Sequence, residues 1–273
     1  MEIFRLFLVF IFGTAVGSFL NVVILRLPAG ARLTGRSHCA SCGHVLGFLD
    51  LFPILSFIFL RGKCRYCPSR ISSRYIIIEA AVGILFALAF LFISPYDAAG
   101  VLTLVKFLLL ISVCVVTFVV DLEHYVILEN LVLSAAVAGL LINLSLDLAG
   151  GQKIFSISSL FVAGLAGAVL GALPIYILWY ASKFKLGETG RWMGFGDVEL
   201  MVFLGAVTGF PMVGIVLFIG VLMGGAVSVF LLLSGKKNLK SQVPFGTFLV
   251  PAAIVTMFYG ERLLSWYLAI LGF

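Results

Sequence analysis

The chain has 273 residues, 62% of them hydrophobic and only 11% charged, with a mean hydropathy of +1.22, which excludes a soluble globular domain and places the protein in a bilayer. The formal charge of +6 does not signal a nucleic-acid partner, because the 18 Lys and Arg are clustered. Eight of them (Arg26, Arg32, Arg36, Arg61, Lys63, Arg65, Arg70 and Arg74) share one polar segment, a pattern that reports membrane topology.

Runs of about 20 apolar residues predict membrane helices near 3–26, 75–94, 101–120, 126–146, 155–180, 197–210, 211–233 and 244–260. The expected fold is therefore an all-α polytopic membrane protein with about eight transmembrane helices. The first run is too long for a signal-peptide core and is expected to stay as a helix. The sixth is short, and the tail from Glu261 either extends the last helix or lies along the interface. Basic residues recur in alternate loops: eight in 26–74, then Lys183, Lys185 and Arg191 in 181–196, and Lys236, Lys237 and Lys240 in 234–243. The loops at 95–100, 121–125 and 208–212 carry none, and 147–154 carries only Lys153. Positive-inside sorting then assigns 26–74, 121–125, 181–196 and 234–243 to the cytoplasm and both termini to the outside. Three parts are expected: a first helix at 1–27, an extramembrane domain at 28–74 and a helical membrane domain at 75–273.

The segment 28–74 is too small to rest on an apolar core and needs a staple. Cys39 and Cys42, with Cys64 and Cys67, form a C-x2-C-x21-C-x2-C pattern. Two such pairs fill the four positions of a tetrahedral zinc ion and close it to water, which makes the site structural. In a reducing cytoplasm metal is favoured over disulfides. The competing readings are free thiols, a redox pair, or His38 or His44 replacing one Cys. Cys114, alone in an apolar run, reads as a small buried hydrophobe. Between the pairs, LDLFPILSFIFL at 49–60 is apolar enough to dock the domain on the membrane surface.

Ionisable residues at the mouths of membrane helices are costly and default to function. Asp121 closes the third apolar run and Asp197 opens the sixth, both on the predicted cytoplasmic side. Brought together, two carboxylates share one proton: the ionised one activates water against a peptide carbonyl and the protonated one supports the oxyanion and the leaving amine. Gly194 and Gly196, lacking Cβ atoms, are expected to let a substrate backbone approach. The plainer readings are a helix N-cap for Asp197 and a hydrated interfacial acid for Asp121. Glu123, Glu129 and Glu199 are nearby acids that rank below the aspartates, read either as serving in their place or as hydrating the interface, with Glu123 the candidate for a supporting role, and His124 has no partner at metal spacing.

These residues resemble the bacterial type IV prepilin peptidase family, also called prepilin leader peptidase/N-methyltransferase, across nearly the whole chain. The matching stretches are GSFLNVVILRLP at 17–28, both CxxC pairs, ISSRYIIIEA at 71–80, DLEHYVIL at 121–128, GFGDVEL at 194–200 and PFGTFL at 244–249. The resemblance implies an inner-membrane aspartyl peptidase with Asp121 and Asp197 catalytic, cutting the leader of a membrane-anchored prepilin or pseudopilin on the cytoplasmic side. It also implies N-methylation of the new amino terminus with S-adenosylmethionine, for which Arg74, Tyr75 and Glu79 are the candidate residues. No glycine-rich nucleotide fingerprint supports that second activity independently. Leu128, Glu129, Glu199 and Ile76 depart from the residues the family favours there (Pro, Asp, Lys and Pro). Since 26–74 is basic, recognition of a basic leader falls to Glu123, Glu129, Glu188 and Glu199. Two other classes are weighed: a transporter whose acids relay protons, and a structural assembly protein without chemistry. A metalloprotease is excluded by the absence of HExxH and by the closed Cys quartet.

Overall fold

The computed structural model describes residues 2–150, 159–186, 194–235 and 244–270. Lys153, Glu188, Arg191, Lys236, Lys237 and Lys240 lie outside the described residues, as do the side chains of Lys183 and Lys185. Among the described residues the chain is helical: α1 (Glu2–Arg26), α2 (Leu55–Phe59), α3 (Arg74–Ile93), α4 (Ala98–His124), α5 (Glu129–Leu148), α6 (Leu160–Leu186), α7 (Gly196–Thr208), α8 (Met212–Leu233) and α9 (Gly246–Ile270). The β-structure among them is limited to two isolated bridges, His38 with Val45 and Lys63 with Arg70. The chain divides into two compact units, 1–94 and 95–273.

In the first unit α1 packs along α3 through glycines. A Cβ on Gly17 would stand 2.8 Å from the Glu79 Cα, and one on Gly13 would stand 2.8 Å from the Gly83 Cα. Small residues at these positions let the two backbones approach closely where apolar surface alone gives helices no reason to associate. Segment 28–73 leaves α1 and returns to α3, and Arg26 holds its start by donating to the carbonyls of Leu33 and Thr34 at 3.1 Å.

The second unit is arranged around α7. Leu200, Met201, Phe203, Leu204 and Ala206 have no exposed surface, and Val198 and Val207 little. Gly205 of α7 faces Gly167 of α6 backbone to backbone, with no room for a Cβ on either. The far end of α7 is pinned by a buried polar relay: Asn143 donates to the Ala206 carbonyl at 3.0 Å, and Lys106 donates to Asn143 Oδ1 at 3.1 Å. Asp147 caps α6, accepting from the Leu160 and Phe161 amides at 2.7 and 2.9 Å and from the Ser159 hydroxyl at 2.6 Å.

Seven helices among the described residues are long and apolar enough to cross a membrane. The expected sixth span is instead a helix of 13 residues, about 20 Å long against a hydrocarbon core of about 30 Å. Its neighbours enclose it, so protein rather than lipid sets its length. Gly209, just past its end, meets Ala163 at the start of α6, so α7 still carries the chain to the opposite end of this unit. The tail extends the last helix, since α9 runs to Ile270.

Gly205→Leu should force α6 and α7 apart at a cost of about 1–3 kcal/mol or more. The expected outcome is a clear drop in melting temperature of the detergent-solubilised protein, with Gly214→Leu, which has open space around it, as the neutral comparison.

Candidate functional site

Asp121 sits in the last turn of α4, which ends when Tyr125 turns left-handed at φ 58 and its amide donates to the Asp121 carbonyl at 3.0 Å. Asp197 is the second residue of α7. Both are buried, at 5% and 8% exposure. The start of α9 brings them together: the Thr247 amide donates to Asp121 Oδ2 at 3.0 Å, and the Gly246 amide is turned to Asp197. These amides belong to the orphan donors of a helix N-terminus, which favour anions. Since consecutive Cα atoms are about 3.8 Å apart, the two donors hold the carboxylates in one site. A Cβ on Gly246 would stand 2.7 Å from Asp121 Oδ2, so only glycine fits there.

The pair is recessed. From the pairing of Gly209 with Ala163 and Gly205 with Gly167, Asp197 lies level with about residue 175 of α6, which continues to Leu186. That is a depth of roughly 16 Å at 1.5 Å per residue. Gly224 of α8 meets Phe245 and Phe248, and α8 continues to Leu233, roughly 14 Å further. The acids stand at helix ends as expected, in the last turn of α4 and the first turn of α7, while α6 and α8 project past them. On α6, just above their level, Tyr176 and Trp179 have ring centroids 5.7 Å apart, and Trp179 meets Phe195 edge-on at 5.0 Å.

The other sequence candidates separate. Gly196 faces Ile127, where a Cβ would stand 2.8 Å from that side chain's Cβ, so its missing side chain serves the packing of α7 on the link before α5. Gly194 is exposed and its nearest neighbour for a Cβ is the Gly196 nitrogen at 4.0 Å. Glu123 is exposed at the end of α4, with His124 Nε2 4.0 Å from it. Glu199 is buried in α7 under the charge of Glu129, which is exposed. Glu188 lies outside the described residues.

In the first unit the four cysteine sulfurs lie within 4.8 Å of one another, and among the described residues no histidine joins them. A tetrahedral zinc with bonds of about 2.3 Å places its sulfurs about 3.8 Å apart, and Cys39 and Cys67 are at 3.9 Å. Each CxxC lies in a tight knuckle: Cys39 N–H donates to the His44 carbonyl at 2.9 Å, and Cys64 N–H donates to the Ser69 carbonyl at 3.0 Å. Asp50 braces one knuckle to the other, accepting from the Gly47 amide at 3.0 Å, Arg65 Nε at 2.6 Å and the Tyr66 hydroxyl at 3.1 Å. His44 lies against Tyr66, with ring centroids 3.7 Å apart and planes tilted by 31°.

The amides of Cys42 and Ser41 and the Ser69 hydroxyl hold the Cys39 thiol down to about 6. Cys42 is pushed up to about 11: the His44 amide favours its thiolate, but burial and the neighbouring Cys39 and Cys67 outweigh it. Four thiolates side by side repel, and a divalent cation among them is what lets all four ionise together. The donor set fits structural zinc, with Cys39, Cys42, Cys64 and Cys67 as ligands.

Of the residues proposed for a methyl donor, Arg74 lies 5.6 Å over the Tyr75 ring at the start of α3. Glu79 is 7% exposed and its carboxylate accepts the Ile54 amide at 2.8 Å, tying the apolar segment between the knuckles to α3. Asn21 of α1 donates to the Tyr75 carbonyl at 3.2 Å, leaving its buried Oδ1 without a hydrogen-bond partner. A cation, an aromatic ring and this orphaned acceptor therefore lie together at the start of α3, with Glu79 engaged by the Ile54 amide.

The pattern of the bacterial peptidase A24 N-terminal domain matches residues 11–93, and that of the type IV leader peptidase family matches residues 108–229. This chain belongs to the type IV leader peptidase family. A relative from Aeromonas hydrophila named prepilin leader peptidase/N-methyltransferase is 32% identical, covering 96% of this chain and 93% of its own. Proteins of the same name from Burkholderia pseudomallei (strain 1026b) and Pseudomonas aeruginosa are 32% and 29% identical, covering 92% and 96% of this chain and 84% and 92% of theirs. No solved structure matches the chain.

In this leader-peptidase chain the two matched regions correspond to the two compact units, and both aspartates fall in the second. Gly246 and Thr247 lie beyond it. Their motif enters the sequence only as part of the resemblance, because a backbone donor leaves no side-chain signature; the Gly that opens a helix is the one available signal.

Gly246→Ala should displace the Asp121 carboxylate and lower peptide cleavage about a hundredfold, since misplacement by about 1 Å suffices for that, while bound metal is unchanged. For the cysteine cluster, elemental analysis should find one zinc per wild-type chain, and Cys42→Ser should lose it on dialysis against a chelator that leaves wild type loaded.

Proposed function

We propose that the chain is a membrane aspartic endopeptidase that cleaves the leader from type IV prepilins or pseudopilins, with Asp121 and Asp197 as its catalytic pair. The observation that carries this reading is the burial of two carboxylates in one site under the adjacent amides of Gly246 and Thr247. One carboxylate, ionised, takes a proton from water as the oxygen attacks the scissile carbonyl. The other, protonated, donates to the developing oxyanion, and the proton taken from water then goes to the leaving amine. The amides hold both groups in place while the proton changes hands.

We place the protein in the bacterial inner membrane with the aspartates and segment 26–74 facing the cytoplasm, following the loop charges. Zinc held by Cys39, Cys42, Cys64 and Cys67 supplies structure only. The relatives' shared name supports a second activity, N-methylation of the new terminus. S-adenosylmethionine would supply the methyl group when bound, and we assign its binding to Arg74 and Tyr75, with Asn21 beside them. Glu79 acts there as a strut.

Cleavage of a prepilin-type substrate in detergent is the decisive assay. Asp121→Asn and Asp197→Asn should each lower turnover about 10²–10⁴-fold while retaining zinc and melting temperature. Near wild-type turnover in either variant removes that residue from the reaction.

A further inference from the structure

Beside Asp121 the end of α4, the middle of α8 and the start of α9 line an open hollow of about 450 Å³. Its lining is apolar, with Phe118 and Leu122 from α4, Met223 and Val227 from α8, and Phe248 and Pro251 from α9. Two features join it to the carboxylates. Leu122 follows Asp121 in the chain, and Thr247, which donates its amide to Asp121, also lines the hollow. The Thr247 hydroxyl is turned back to the Pro244 carbonyl at 2.7 Å, so the wall keeps its apolar character. Tyr125 is the one titratable residue in the lining.

The two residues that α8 gives the hollow, Met223 and Val227, are 37% and 39% exposed, and α8 as a whole is little covered. Only 11% of its most apolar stretch is buried, against 33% or more in the six other long helices. Pro251 adds a further feature. It has no amide to return to the Thr247 carbonyl four residues earlier, which loses its ordinary intrahelical partner within the same wall.

We propose that this hollow is the subsite that seats the apolar side chains flanking the scissile bond of a membrane-anchored peptide. The inference rests on the cleavage proposed above and adds where the substrate's apolar part lies. A hollow of this size takes two or three large side chains, or one helical turn. With no charged group in its lining, it selects apolar residues and rejects the basic part of a leader, whose burial there without a partner is costly. The position next to Asp121 then sets which peptide bond reaches the carboxylates.

The test is a pair of fillings read against substrate size, using the full chain in detergent. Met223→Trp and Val227→Trp should raise KM at least tenfold for a substrate with a large apolar residue beside the cleaved bond. Replacing that residue by Ala should restore most of kcat/KM. Val229→Trp, on α8 outside the hollow, should leave both parameters near wild type. An equal effect on large and small substrates, or none, overturns the proposal. A second arm does not depend on cleavage: in the Asp197→Asn chain, a photoreactive residue at position 227 should label the substrate's apolar segment, and one at 229 should not. Labelling of lipid alone, or of the basic leader, also overturns it. If wild type fails to cleave but position 227 labels the apolar segment, the peptidase reading falls and the binding site stands.

Discussion

Two buried carboxylates need donors, and here the donors are the first free amides of one helix. A helix start is the place in a membrane domain where backbone N–H groups are not already spent on their own helix. That requirement brings the last turn of α4, the first turn of α7 and the first turn of α9 to one level. The rest of the second unit follows from it. α7 has to begin deep, so it is short. α6 and α8 have no such constraint and run on past it. The far end of α7 then needs its own anchor, which Asn143 and Lys106 supply.

The first unit solves a different problem. Segment 28–73 is too small to be held by apolar contacts, and it uses three kinds of staple instead: the cysteine quartet, the Asp50 brace and the Glu79 strut. The two acids act differently. Asp50 joins the knuckles to each other, whereas Glu79 joins the apolar link between them to α3.

Much of this was legible because certain residues are costly where they stand. An acid at the end of an apolar run has few reasons to be there, and Asp121 and Asp197 meet as that cost suggested. Paired cysteines encode geometry directly in their spacing. The seven long helices were legible from length alone. The sixth run, short as it reads, counts as a span in the sequence because apolar composition is the same whether lipid or protein covers a helix, and α7 is covered by protein. Gly246 and Thr247 act through backbone groups that every residue carries, so nothing in their side chains announced them. The bond from the Ile54 amide to Glu79 is not legible in the sequence, because Ile54 is 25 residues away in a loop whose path the sequence does not specify.

The distance of the carboxylates below the end of α6 sets what a chain approaching along that helix has to cover. A chain entering alongside α6 has roughly 16 Å to cover, which an extended strand spans with about five residues and a helix with about eleven. An extended entrant exposes each peptide unit on the way down, whereas a helical one hides its carbonyls in its own hydrogen bonds. A chain arriving on the α4 side meets no such length of wall, because α4 ends three residues past Asp121 and Leu122 and Tyr125 are exposed there, so the two approaches ask for different lengths of chain.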